Sequence, residues 1–396
     1  MDVETRLAHA GRDPDRQFGV VNPPVYRAST IVYPTLAEFQ NRDQRKYTTF
    51  SYGIDGTPTT AALAEAVAEL SGGHRTLVLS SGLAAATHAL TAFVGQGDHV
   101  LATDAIYGPT RQFCTDVLQR FGVEVTFYDP AVGAGIAALI RPRTRVVYLE
   151  SPGSQTFDLQ DVPAVARVAR ERGVITIVDN TWATPLYFRA FEHGVDVEVQ
   201  AGTKYLAGHS DLLIGLLTAR DEGLFRALKD AVALSGDCTS PDVCYETLRG
   251  LRTLGVRMRR HAESALAVAQ WLAAQPAVAR VLHPALPGDP GHPVWKRDFR
   301  GASSLFGVLL RTADEGAVAA FLNGLRVLRL GASYGGFESL AYVSRPVRTA
   351  RPWTERGTLL RIHVGLEAVA DIVADLAAGL ARLEAALPVG RMAGRS

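Results

Sequence analysis

Residues 196–211 read DVEVQAGTKYLAGHSD, and the pattern changes character halfway. Val197, Val199 and Ala201 alternate with polar residues, the period of a short strand. That strand runs into Thr203 and Lys204 and then a Gly/His/Ser turn. A lysine at a strand end among small residues carries a charge that burial penalises. A Schiff base with a carbonyl cofactor or substrate removes the charge of the free ammonium, which is a chemical reason to place an amine there.

The surrounding chain has 396 residues, 47% hydrophobic and 20% charged. That supports a large core and suggests two domains. The net charge is +1 and no long basic or acidic block occurs, so no nucleic-acid partner is expected. The three cysteines, Cys114, Cys238 and Cys244, form no CxxC pair. This argues against a disulfide framework or a zinc site and fits a reducing compartment. The N-terminal MDVETRLAHAGRD is polar, and no run reaches the length of a membrane span. A soluble cytoplasmic protein with no membrane partner and no metal is expected.

Residues 1–59 have little periodicity and several turn formers, among them Pro23, Pro24, Pro34, Gly53 and Gly56. They are expected to form an N-terminal arm contacting a neighbouring subunit. From residue 60 to about 219, helical spacing (61–70, 82–93, 110–121, 161–172) alternates with short apolar runs (76–79, 99–103, 124–128, 146–150, 174–178). The expectation is an α/β large domain over 60–245 with a mostly parallel sheet covered on both faces. Past about residue 239 the signature changes. One long helix is expected over 246–274, broken near 250–255, with strands at 304–311 and 359–364. A last helix over 368–387 is expected to stop at Pro388. Together these make a smaller C-terminal α+β domain over 246–396. The Pro-rich stretch 284–293 reads as a surface loop, and no internal repeat is present.

In doubly wound sheets, ligands sit beyond the carboxyl ends of the strands, and several polar residues fall there. Ser80-Ser81-Gly82-Leu83 follows one strand and opens a helix, so its free N–H groups suit a phosphate; a plain small-residue turn also fits. Tyr107, in DAIYGPT, either lays its face on a flat ring or packs. Asp179, in IVDNTWATP, ends an apolar strand and needs a partner, either a protonated pyridine nitrogen or a helix N-terminus. Lys204 comes one helix and one strand later, which puts both on the same sheet edge. The four in this order describe a site for pyridoxal 5′-phosphate: a phosphate cradle, a ring stacker, an acid for the ring nitrogen and a lysine for the aldehyde. Farther on, Arg361 in LLRIHVGLE sits inward on an apolar strand and wants an anion. A substrate carboxylate or an ion pair with Glu367 or Glu338 would serve. The Gly-rich loop 332–339, ASYGGFES, has Ser333 placed to meet the same carboxylate.

YGIDGTPTT, SSGLAAATHAL, GDHVLATDAIYGPT, ESPGS, VDNTWATP, AGTKYLAGHSD, LRGLRTLGVRMRRH, VLHPALPG, SYGGFES and LLRIHVGLE resemble the Cys/Met-metabolism family of pyridoxal-phosphate enzymes over nearly the whole chain. The family has the fold type I, aspartate aminotransferase-like architecture. Ser154, where γ-synthases and γ-lyases usually carry asparagine, resembles the β-lyase branch. The resemblance implies α,β-elimination from a small sulfur amino acid, with L-cystathionine giving homocysteine, pyruvate and ammonia. Related C–S lyases acting on cysteine, cystine or other cysteine conjugates, and γ-lyases, share the frame; a non-catalytic cofactor-binding module is the alternative from another class.

By the same resemblance, Lys204 carries the cofactor covalently and moves protons, and Asp179 pairs with the pyridinium nitrogen. Tyr107 stacks on the ring and acts on the incoming amine. The amides of Gly82 and Leu83 and the Thr203 hydroxyl hold the phosphate. Arg361 and Ser333 bind the substrate carboxylate, and Tyr334 shapes the substrate side. Tyr52 reaches into a neighbouring subunit's site, and the expected assembly is a homotetramer, a dimer of dimers. Three positions depart from the family pattern. Ile54 stands where an arginine is usual, with Arg42, Arg45 or Lys46 as stand-ins. Ala201 stands where a serine is common, and Tyr334 where the β-lyase branch has tryptophan.

Overall fold

The computed structural model describes residues 2–387. Seven strands build the large sheet: β1 (Arg75–Leu79), β2 (His99–Thr103), β3 (Glu124–Tyr128), β4 (Thr144–Glu150), β5 (Ile175–Asp179), β6 (Val197–Ala201) and β7 (Gly215–Ala219), in the order β1-β7-β6-β5-β4-β2-β3. From β6 to β3 the pairing is parallel throughout. Every residue of β2 is buried, which is why a central parallel strand reads as a mostly apolar run rather than an alternating one.

The unexpected member is β7, which runs antiparallel between β1 and β6. Its sequence, GLLTA, has no alternation and no β-branched run. Gly215 pairs with both Leu79 and Ala201, and a Cβ there would sit 2.0 Å from the carbonyl oxygen of Ser81. The missing side chain brings the ends of β1 and β6, the phosphate-type turn and the lysine strand, close together.

Helices cover the sheet, and side chains cap their N-termini as the sequence suggests: Ser81 accepts from Ala84 N–H, and Asp161 from Ala164 N–H. The helical stretch after Tyr107 is less regular than its spacing. It starts as α-helix (Gly108–Gln112), passes through a π turn (Phe113–Leu118), and ends at Gly122 with φ +78°.

A second sheet holds β8 (Val278–Leu282), β9 (Leu305–Leu310), β10 (Arg329–Leu330), β11 (Leu340–Val343) and β12 (Leu359–His363), in the order β10-β11-β12-β9-β8. It is antiparallel except for the short β10–β11 pair. The helix break near 250–255 is real: Pro241–Leu251 and Leu254–Ala273 are separate helices. The last helix ends at Ala386; Pro388, its expected stop, lies outside the described residues. One apolar core joins the two sheets and holds Leu149 of β4, Trp182 from the turn after β5, and Leu305 and Leu359 of the second sheet. The Trp182 indole N–H donates to the Leu305 carbonyl at 2.9 Å, fixing how the second sheet sits over the first. No described helix is long and apolar enough to cross a membrane, and no His/Cys/Asp/Glu group among the described residues is arranged to hold a metal.

Candidate active site

The parallel strands point their carboxyl ends to one edge, and the site is built there. Lys204 lies past the end of β6 in a turn closed by its own N–H to the Ala201 carbonyl, 3.0 Å, and by the Gly208 N–H to the Lys204 carbonyl, 2.8 Å. Neighbours lock this turn from two sides. A Cβ on Gly250 would sit 2.2 Å from the Ala207 carbonyl oxygen, so only glycine lets that helix lie on the turn. The buried Arg257 donates to the Tyr205 and Gly250 carbonyls at 2.7 and 2.8 Å. On the other side lies Gly335, with φ +82°, where a Cβ would come 2.8 Å from the Lys204 carbonyl carbon.

The lysine amine donates to Ser333 Oγ at 2.7 Å and lies 5.2 Å from the centre of the Tyr334 ring. Ser333 has φ +128°, a conformation that L-residues rarely adopt and that clusters at functional sites. Burial pulls the Lys204 pKa down to about 8; the Arg361 charge adds to the fall and Asp179 opposes it.

Arg361 is 6% exposed on β12, opposite Gly307 and Tyr342. Its guanidinium carbon lies 5.1 Å from the Tyr334 ring and 5.4 Å from that of Tyr342. One terminal nitrogen reaches the Ser154 carbonyl at 3.4 Å, and Nε is buried without a hydrogen-bond partner. Among the described residues no carboxylate pairs with it. Glu367 instead holds Ser339 through its N–H and hydroxyl, at 2.7 and 2.8 Å. An arginine desolvated by aromatic rings and left unpaired is costly unless an anion comes to it.

At the end of β5, Asp179 Oδ1 accepts from Thr181 N–H at 3.0 Å and from its hydroxyl at 2.6 Å. Oδ2 has no partner among the described residues. The two readings of this carboxylate are therefore compatible, because a turn uses one oxygen and leaves the other. Burial pushes its pKa up, against the Thr181 bonds and the Lys204 charge.

The sequence reading passed over Glu150, which pairs in register with Asp179 across β4–β5. It is buried, and it accepts the Tyr107 N–H at 2.6 Å. Burial, and then Asp179, push its pKa well up. The signal that flagged Asp179, an acid closing an apolar strand, was present here too. Tyr107 is 42% exposed. Burial of the phenol raises its pKa while Arg361 works against that rise, which leaves Lys204 as the better base near neutrality.

Gly82 opens the Gly82–Thr91 helix, and a Cβ on it would lie 2.4 Å from that of Ala201. Ala201 thus packs where a larger residue would press on the turn. The N–H groups of Gly82 and Leu83 have no acceptor among the described residues, as expected of a helix start. The Thr203 hydroxyl is engaged: it donates to the Ile214 carbonyl at 3.2 Å and accepts the Ile214 N–H at 2.9 Å.

Tyr52 makes no hydrogen bond to Lys204, whose amine meets Ser333. It is 52% exposed at the head of a turn in which Asp55 accepts from Ser51 N–H, Ser51 Oγ and Tyr52 N–H. Ile54 is exposed. Of the offered stand-ins, Lys46 is paired with Asp230 at 2.8 Å and Arg42 lies over Phe39.

These residues suit a pyridine aldehyde phosphate: free amides at a helix start, an open carboxylate oxygen, an amine of lowered pKa and an unpaired arginine. The comparisons agree. The model of the family described as Cys/Met metabolism PLP-dependent enzyme matches residues 4–381. A putative cystathionine β-lyase of Rhizobium johnstonii is 48% identical over 388 residues, 97% of each chain. The cystathionine β-lyases of Salmonella typhimurium and Escherichia coli are each 43% identical, with 96% of this chain and 98% of theirs covered.

Proposed function

The chain belongs to the Cys/Met-metabolism family of enzymes that depend on pyridoxal 5′-phosphate, and from that premise we propose that it is a carbon–sulfur β-lyase cleaving L-cystathionine to L-homocysteine, pyruvate and ammonia. The observation that carries the reading is Arg361, buried and unpaired, on the same small patch as the Lys204 amine. The relatives named above carry the substrate assignment.

Lys204 would bind the aldehyde carbon, Asp179 Oδ2 would meet the ring nitrogen, and Tyr107 would offer its face to the ring. The Gly82 and Leu83 amides would meet the phosphate, with Thr203 contributing only if its hydroxyl leaves Ile214. When bound, the cofactor supplies an electron sink for the pair left when the substrate loses its Cα proton. The chain does the rest. Arg361, aided by Ser333, takes the α-carboxylate and fixes which Cα substituent faces Lys204. Tyr334, wedged between Lys204 and Arg361, limits the space beside Cα. Nζ of Lys204 takes the Cα proton. As the Cβ–S bond breaks, the electron pair leaves with sulfur and Nζ returns a proton to it. A base of pKa about 8 can do both near neutral pH. The three-carbon fragment is then hydrolysed to pyruvate and ammonia.

We further infer a cytoplasmic homo-oligomer, a dimer of dimers, in which Tyr52 serves a neighbouring site. Exposed apolar side chains on the arm, such as Phe18, Val32 and Leu36, support that reading.

The test is a keto-acid and thiol assay over cystathionine, cystine, methionine and homocysteine. Pyruvate with homocysteine from cystathionine is expected. 2-Oxobutyrate would indicate γ-elimination, and pyruvate from cystine alone would move the assignment to a cysteine-conjugate lyase. If no sulfur amino acid yields a keto acid, the lyase reading fails. Lys204→Ala should lose the borohydride-reducible visible absorbance.

A further inference from the structure

Behind Ser333 lies a closed run of hydrogen bonds that the mechanism above does not use. His363 ends β12, fully buried, with Nε2 3.1 Å from the Gly336 carbonyl oxygen and Nδ1 2.7 Å from Ser304 Oγ. Ser304 Oγ lies 2.6 Å from the Tyr205 hydroxyl, and the Ser304 N–H donates to that same hydroxyl at 3.2 Å.

The protons in this run have one consistent arrangement. A carbonyl oxygen only accepts, so Nε2 must carry hydrogen and donate to Gly336. Nδ1 must then accept, and Ser304 Oγ–H supplies the donor. With its hydrogen pointed at the ring, Ser304 Oγ accepts from Tyr205 O–H. Every polar hydrogen is used and no group is left over. Burial drives the His363 pKa down to about 3, with the nearby His261, Arg361 and Lys204 acting the same way and the Gly336 carbonyl opposing, so the ring stays neutral as the arrangement requires.

The run ends on the loop that touches the lysine. Gly335 lies against the Lys204–Tyr205 backbone, and a Cβ on Gly336 would come 2.0 Å from Ser210 Oγ. The Tyr205 ring packs on Tyr334 at 5.5 Å. Ser333 holds φ +128°, and two residues on, the Gly335 N–H points at His363 Nδ1 at 3.5 Å, so the ring meets the loop at both Gly335 and Gly336.

We propose that neutral His363, fixed in one tautomer by Ser304 and Tyr205, is a positioning residue that pins the Gly335–Gly336 backbone and so aims Ser333 at Lys204 and at the substrate carboxylate. This rests on the reading of Lys204 and Ser333 given under the proposed function. His363 makes no hydrogen bond to Lys204, Arg361 or Ser333, so its effect falls on binding geometry rather than on the proton transfer itself.

Two substitutions separate the halves of the ring. His363→Asn keeps an acceptor near Ser304 but does not reach Gly336; His363→Gln places an amide N–H within reach of Gly336. In the holoenzyme, His363→Asn is expected to raise KM for cystathionine about tenfold with kcat held within about threefold, and His363→Gln to bring KM back to within about threefold of the parent. Backbone hydrogen exchange across residues 332–339 should speed up in His363→Asn and recover in His363→Gln. Should His363→Asn fail to fold, Ser304→Ala removes the tautomer-fixing donor and should move KM and exchange the same way. An unchanged KM in a fully cofactor-loaded variant, or a kcat loss at constant KM, overturns the proposal. A parent protein that turned over no sulfur amino acid would sink the lyase reading by itself. The exchange comparison needs no substrate and still decides: faster exchange supports the anchor, unchanged exchange overturns it.

Discussion

The lysine amine sits where its two required states are close in energy. An ordinary lysine is almost wholly protonated at neutral pH and cannot attack an aldehyde. Burial and Arg361 pull this one down to about 8, with Asp179 limiting the fall. Because the pKa is lowered, the neutral amine appears as pH rises through about 8 rather than near 10.5. Loading of the cofactor-free protein with pyridoxal phosphate should therefore accelerate through about pH 8 and level off above it. Stopped-flow absorbance would show this, and an inflection near pH 10 would remove the basis for the lysine's lowered pKa. Arg361 gives a second expectation. Losing a charge-assisted, two-pronged carboxylate contact typically removes about 2–3 kcal/mol, or roughly a hundredfold in kcat/KM. Arg361→Ala should show that loss mainly in KM, and Arg361→Lys should not recover it, since an ammonium cannot copy the planar fork. A kcat/KM within a few-fold of the parent in Arg361→Ala would move the carboxylate site elsewhere. Most of these residues were legible in the sequence because each follows an apolar run and so falls at a strand end. What the sequence could not show is which of their atoms are free. Thr203 has its hydroxyl in use by Ile214, whereas Asp179 keeps one oxygen open.

Strands and loops differ in how openly the chain declares them. β2 and β3 are read to the residue, because turn formers bound them: Gly97-Asp98 before β2, Gly122 before β3 and Asp129-Pro130 after it. β7 escapes because GLLTA lacks alternation. β8 is half exposed and β10 has only two residues, so neither leaves a periodic trace. Least visible of all is the clasp made by Asp104, just past β2. This buried carboxylate accepts the backbone N–H groups of Thr349, Ala350 and Arg351 at 2.9–3.1 Å, together with the Arg348 guanidinium at 3.2 Å and that of Arg111. The partner loop lies about 245 positions away, and no spacing rule reaches that far. Arg348 goes on to bind Asp158 and Thr156 at 2.8 Å, so one acid ties the loop after β11 to the edge that carries Tyr107. Burial would raise the Asp104 pKa, but the Thr349 and Arg351 amides and Arg111 outweigh it and the pKa falls. The stabilisation is therefore complete above the unfolded carboxylate value of about 4 and is lost as pH drops through the lower folded one. Asp104→Ala strands the buried Arg111 guanidinium and the Ala350 and Arg351 N–H donors, while Arg348 keeps Asp158. Breaking such a pair typically costs about 3–5 kcal/mol, which should appear as a lower urea midpoint by circular dichroism at pH 7. The gap from the parent should narrow in acid. A midpoint unchanged at pH 7 would show that the loop is held by other contacts.

Taken as one body, the chain covers its two sheets well and its arm poorly. Half of the large exposed apolar side chains among the described residues fall between Phe18 and Ile54, with Phe18, Val32 and Leu36 at 102%, 86% and 71% exposure. A monomer has little reason to keep such a run in water, whereas a second copy would cover it and receive what the arm carries. The turn at Tyr52 is stiff and its side chain is half exposed. Asp55 collects three hydrogen bonds from Ser51 and Tyr52, which stiffens the backbone while the phenol stays in solvent. If Tyr52 acts in a neighbour's site, Tyr52→Ala and Lys204→Ala damage different halves of a composite centre, and neither variant alone should be active. Mixing them under unfolding and refolding conditions puts one of each in about half of the paired subunits. Each mixed pair rebuilds one intact site from an unaltered arm and an unaltered lysine, so about a quarter of the parent activity should return. Refolding each variant alone controls for recovery by any other route. If Tyr52 serves its own chain, every subunit in the mixture still carries one defect, and no proportion of the two variants restores turnover.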